Sequence, residues 1–131
     1  MISTLTNSNF QTAASDTILP EEFHSPIYQP LLEAIAARRN VRLKYEGDRL
    51  PRLVSPYLLR RAKKGHLTII AMQIENPNAL DDDNQMRQFN FDKVASMELT
   101  DENFVPIDTF TPKVGPHSTG ITAYIFPWKA H

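Results

Sequence analysis

The chain has 131 residues, 41% of them apolar and 22% charged, with formal net charge −1 and no cysteine. That length suits one domain of about 100 residues with tails, and the apolar content is enough for a single core and too high for a disordered polyelectrolyte. The missing thiols exclude disulfides, cysteine-based zinc sites and thiol nucleophiles. Met1 to Thr17 lacks a secretory pattern and no stretch approaches the ~20 apolar residues of a membrane span, so a cytoplasmic protein with no membrane partner is expected.

The charge is segregated. Ten of the fourteen cations fall between Arg38 and Lys64, where Glu46 and Asp48 are the only acids, which gives that window net +8 and the remainder net −9. Such a division lets a soluble protein attract a polyanion locally. Lysines and arginines at strand edges and turns also serve solvation alone.

Residues 1–26 read as a flexible N-terminal arm, rich in Ser, Thr and Asn and without helical or strand period. From Ile27, Leu31, Leu32, Ile35 and Ala36 recur at helical spacing, Pro30 suits a first turn, and Arg38 and Arg39 complement the helix C-terminus, so one helix is expected to end near Asn40. Val41, Leu43 and Tyr45 alternate with Arg42 and Lys44 as a first strand with its cations outward. Glu46-Gly47-Asp48 makes a turn, and Arg52 to Leu59 reads as a second strand whose Pro51 and Pro56 mark an edge, a start or a bulge. Lys63-Lys64-Gly65 signals a hairpin into Leu67 to Met72, an unbroken apolar run of the kind a central strand shows.

Glu75 to Gln85 is a polar loop longer than the usual hairpin connection. Arg87, Phe89 and Phe91 then share one face of a fourth strand, Asp92 to Ala95 makes a corner, and Ser96 to Leu99 gives a fifth strand with Met97 inward. One N-terminal helix and five short strands without a long crossover predict a mainly β domain over residues 27–105, a small antiparallel barrel with the helix over one opening. Residues 106–131 form a C-terminal extension in which Ile121 to Phe126 suits an added strand. It either returns to the barrel or joins a neighbour's sheet edge and builds a homodimer.

The strand Val41-Arg42-Leu43-Lys44-Tyr45, the strand Arg52-Leu53-Val54-Ser55-Pro56, and the corner Arg87-Gln88-Phe89-Asn90-Phe91-Asp92-Lys93-Val94, in this order and spacing, resemble the WYL domain of bacterial regulators over roughly Leu31 to Phe104. The resemblance implies an Sm-like, SH3-type five-stranded barrel that binds nucleic acid or nucleotide-like ligands through an aromatic hydroxyl and nearby arginines. The name-giving tripeptide falls at Leu67-Thr68-Ile69, so Thr68 keeps a hydroxyl but lacks a stacking face. WYL regulators usually carry a helix-turn-helix ahead of this domain. The arm before Ile27 is too short for one, and the resemblance then implies a stand-alone module like some accessory proteins of phage defence and CRISPR systems.

Arg87 matches the family's ligand-binding arginine; its guanidinium suits a phosphate or a base, and equally a carboxylate such as Asp92. Arg42, Lys44, Arg52, Arg60, Arg61, Lys63, Lys64 and Lys93 could track a phosphodiester backbone. Tyr57, interleaved with them, offers a stacking ring, whereas Tyr45 continues the apolar face. His66 and Thr68 open the central strand beside these cations. His24, His117 and His131 have no ligand spacing, the Asp81-Asp82-Asp83 run lacks the glycine of a calcium loop, and no nucleophile elbow or phosphate-cradling glycine run is present, so no metal, cofactor or catalysis is expected. The expected function is a regulatory or accessory module that senses single-stranded RNA or DNA, or a nucleotide. The alternative is a protein-interaction or oligomerisation module with a partner protein and no nucleotide site.

Overall fold

The computed structural model describes residues 18–62, 64–79 and 83–107 and the backbone of residues 121–124. A short helix α1 (Pro20–Phe23) starts at a proline, which fits a first helical position because its missing N–H would be unbonded there anyway. The main helix α2 (Tyr28–Ala37) buries Tyr28, Leu31, Ala34 and Ile35, one stripe at helical spacing. It ends three residues before the expected boundary because Arg38 turns left-handed (φ 57°) and its N–H bonds the carbonyls of Ala34 and Ile35. Arg39 therefore opens the sheet instead of closing the helix.

The strands are β1 (Arg39–Tyr45), β2 (Arg52–Arg61), β3 (Leu67–Glu75), β4 (Gln85–Asn90), β5 (Val94–Asn103) and β6 (Ile121–Tyr124). They form one antiparallel sheet in the order β4-β3-β2-β1-β5, with β6 also on β2. β2 carries this arrangement. Its first half pairs with β1 (Val41 opposite Val54), its second half with β6 (Leu58 opposite Tyr124), and β3 lies along its other edge. The change of neighbour follows a register shift between Pro56 and Leu58, where proline has no N–H to give to a ladder. The extension thus returns to its own chain's sheet.

The expected closed barrel is not what forms. Among the described residues no ladder joins β4 to β5, and the sheet is open between them. A three-residue 3₁₀ turn, Phe91–Lys93, links the two strands, and at its entrance the N–H of Asn90 donates to the Tyr45 hydroxyl (2.9 Å). The core gathers the α2 stripe with Val41, Leu43, Val54, Leu59, Leu67, Ile69, Ala71, Phe89 and Phe91. The described helices are too short to cross a membrane.

Candidate functional site

Strand pairing decides where each cation goes. Val41, Leu43, Val54, Ile69 and Ala71 are buried on the core face, so their register partners Arg52 (opposite Leu43) and Arg87 (opposite Ala71) point to that same face. Arg42, Lys44, Arg60 and Thr68 alternate onto the other face. Arg52 and Arg61 stand at opposite ends of β2, roughly 30 Å apart at strand rise. The basic window therefore does not converge into one groove.

At the Arg52 end the guanidinium is locked. Its Nε and Nη2 donate to both oxygens of Asp48 (2.8 and 2.9 Å), its Nη1 donates to Gln73 Oε1 (2.9 Å), and it lies 5.7 Å from the Tyr45 ring centre and 5.5 Å from that of Phe89. Asp48 also accepts from the Tyr45 N–H (2.9 Å), which closes the β1–β2 turn. Bidentate pairing and two ring faces make Arg52 a clamp of the fold and not a free phosphate ligand. Tyr57 is likewise withdrawn from any base. It is buried, its ring stacks on Phe104 at 5.4 Å, its hydroxyl accepts from the Ile107 N–H (3.0 Å), and burial pushes its pKa up.

The β2–β3 hairpin end is different. In register across the outer face lie Arg60, Thr68 and Asn90. Arg60 Nε is buried without a hydrogen-bond partner among the described residues, which is costly for a guanidinium N–H. Thr68 is buried and its hydroxyl donates to the His66 carbonyl at 3.3 Å. Lys64 and His66 are exposed on the turn, where Gly65 takes φ 101°. Arg61 closes the core-face side of this end: Nη1 and Nη2 donate to the two oxygens of Glu22 on α1 (2.8 and 2.7 Å), and Nη1 also to the Gly65 carbonyl (3.0 Å). The charge of Asp92 also acts on Arg61.

Elsewhere, Arg42 is exposed opposite Glu98, Lys44 is half-buried opposite Ser96, and exposed Lys93 lies 3.9 Å from Glu46. Lys63 lies outside the described residues. Arg39 is held by the Thr100 carbonyl (3.0 Å) and Asp101 (3.5 Å). Sequence reasoning missed Glu22, Asp48 and Gln73. The signal for Asp48 was available: it is one of two acids in the basic window and stands four residues before an arginine. Glu22 gave none, because its partner lies on a different element. Among the described residues no His, Asp and Glu cluster could hold a metal.

Both clamping carboxylates resist protonation. The hydrogen bonds from Arg61 hold Glu22 below its ordinary 4.5, against the opposing effect of burial and with help from the Leu19 N–H and the Arg61 charge. Burial raises Asp48, but the Arg52 hydrogen bonds, the Tyr45 N–H and the charges of Arg52 and Lys44 together bring it below 3.8. A folded-state pKa below the unfolded one gives stability that is complete at neutral pH and is lost as pH falls through the folded values. The urea midpoint is expected to hold level from pH 7 to about pH 5 and then to fall. A midpoint unchanged down to about pH 3 would contradict these two pairs.

No curated protein and no solved structure matches the chain. The WYL domain model matches residues 26–99, which run from the start of α2 through the greater part of β5 and include both the Arg52 clamp and the hairpin end; the chain belongs to the WYL domain family.

Proposed function

We propose that this WYL domain is a regulatory or accessory module that takes a short single-stranded nucleic acid, or a nucleotide, at the β2–β3 hairpin end of its sheet. WYL domains are generally regulatory and ligand-sensing rather than catalytic. The observation that carries the reading is Arg60: its Nε is buried with no acceptor among the described residues, and it pairs with Thr68, where the family resemblance puts a ligand-binding hydroxyl, next to the turn that carries exposed Lys64 and His66. A phosphate oxygen is the acceptor a guanidinium fits best, and it would draw the Arg60 side chain outward from this buried position. Arg61 follows Arg60 on the other face, so a strand passing over the rim of the sheet meets both. In this reading the open sheet is a small Sm-like barrel parted between β4 and β5. With Tyr57 in the core and no aromatic at position 68, the contacts are to phosphates and depend little on base sequence.

Fluorescence anisotropy with labelled short single-stranded RNA and DNA tests this. Binding is expected to saturate and to weaken with salt at a slope of about −0.7 per phosphate neutralised. Arg60→Ala should lower affinity several-fold, and Arg60→Ala with Lys64→Ala more, while exposed Arg42→Ala on β1 should change little. No binding at low salt by folded protein would reject the reading and favour a protein-interface role, to which exposed Leu19, Phe23, Val105 and Ile107 would then contribute.

A further inference from the structure

The contact between Glu22 and Arg61 has the form of a bound ligand. A carboxylate presents two oxygens to both Nη atoms of Arg61 at 2.7 and 2.8 Å, in the fork geometry that phosphate also satisfies. The pair is largely shielded, with 7% of the Glu22 side chain and 14% of Arg61 exposed. Yet the element that delivers Glu22 has little else to hold it. α1 is four residues long, far below what a helix needs for independent stability. Its apolar side chains are not buried: Leu19 is 46% and Phe23 50% exposed. Among the described residues its other ties are few: partly buried Ile18 just ahead of it against the core, the Leu19 N–H to Glu22 (3.0 Å), the Tyr28 N–H to the Ser25 carbonyl (3.1 Å) and the Phe23 ring 5.6 Å from that of Tyr28.

We infer that α1 is a displaceable latch: Glu22 occupies on Arg61 the place of a ligand phosphate, and a phosphate that takes Arg61 releases α1. The inference rests on ligand binding at the hairpin end. Phosphate carries more charge than a carboxylate and would lie beside the turn of exposed Lys64 and His66, whose Gly65 carbonyl Arg61 already touches, whereas Glu22 meets Arg61 alone among the described cations. Binding and latch release are then reciprocally coupled. The module would report occupancy by freeing the segment ahead of α2, with no movement of the sheet.

The test uses 3′-fluorescein-labelled single-stranded hexauridylate on the full chain. Glu22→Gln keeps the shape of the side chain and removes its charge; it is expected to bind the probe on the order of tenfold more tightly than wild type. Hydrogen exchange on the wild type is the second measurement, because it requires no variant to fold. Adding the probe should speed exchange at Phe23 and His24, whose amides bond the carbonyls of Leu19 and Pro20, and leave β3 unchanged. If wild type binds the probe but exchange at Phe23 and His24 stays the same or slows, or folded Glu22→Gln binds no better, the latch is overturned while binding at the hairpin survives. If neither protein binds at low salt, both ideas fall.

Discussion

Asp48→Asn is expected to lower the stability of the domain by about 3 kcal/mol, close to the cost of removing one partner from a buried ion pair. The carboxylate accepts three hydrogen bonds, two from Arg52 and one from the Tyr45 N–H. Its side chain is 5% exposed and that of Arg52 16%, so water replaces little of what is lost. The amide would keep one acceptor oxygen but lose the charge and the second oxygen, leaving a cation beside two rings with that neutral oxygen and the oxygen of fully buried Gln73 as its acceptors. Arg52→Leu with Asp48→Asn should cost less than the two single changes added together, because the double variant buries no unpaired charge. Urea unfolding of the four proteins measures this. A loss below about 1 kcal/mol for Asp48→Asn would mean that the pair behaves as a surface salt bridge.

Leu59→Ala should be at least as damaging, at about 3–4 kcal/mol, within the range for a leucine removed from a closed core. Leu59 is fully buried, faces Ile69 across β3 and lies beside Ala123 of β6 on its other edge. With strands on both sides the site has little freedom to collapse around the missing atoms, which is what makes such a cavity expensive. A domain of this size holds about 5–15 kcal/mol in total, so the variant should melt well below wild type. Arg42→Ala, exposed on the outer face of β1, is the control and should stay within about 0.5 kcal/mol. A Leu59→Ala midpoint close to that of Arg42→Ala would mean the β2 core is much looser than its packing.

Where local pattern and tertiary environment agree, the fold was readable in advance. The alternation of β1 placed Val41 and Leu43 in the core, the apolar run from Leu67 became β3, an interior strand between β2 and β4 rather than the central one, and Leu31 and Ile35 lie on the buried stripe of α2, which runs through Tyr28 and Ala34 and leaves Ala36 exposed. Where an element owes its form to a distant partner, pattern was silent. The polar Asp101-Glu102-Asn103 has no strand period, yet it extends β5 because Arg39 pairs with Asn103 and takes the Thr100 carbonyl. α1 was hidden for the same reason. The candidate site divides in the same way. Thr68 beside Arg60 followed from strand order, but the spread of the cations did not follow from their crowding along the chain. A strand sends successive side chains to opposite faces, and acids outside the window or turned back within it claim Arg39, Arg52 and Arg61. Net charge of a segment is therefore a poor measure of the potential at any one surface.

The dependence of β2 on β6 has a consequence for how the molecule is made. The ladder partner of Leu58 to Arg60 is Ile121 to Tyr124, far downstream in the chain, so during synthesis that stretch leaves the ribosome long before the strand that will cover it. Until then it offers unsatisfied amides and carbonyls beside apolar Leu58 and Leu59, a template for intermolecular pairing. Such non-local closure also slows folding relative to a simple meander, because chain entropy is lost before the contact forms. Any alteration that delays or loosens β6 should therefore register first as poor solubility of the newly made chain.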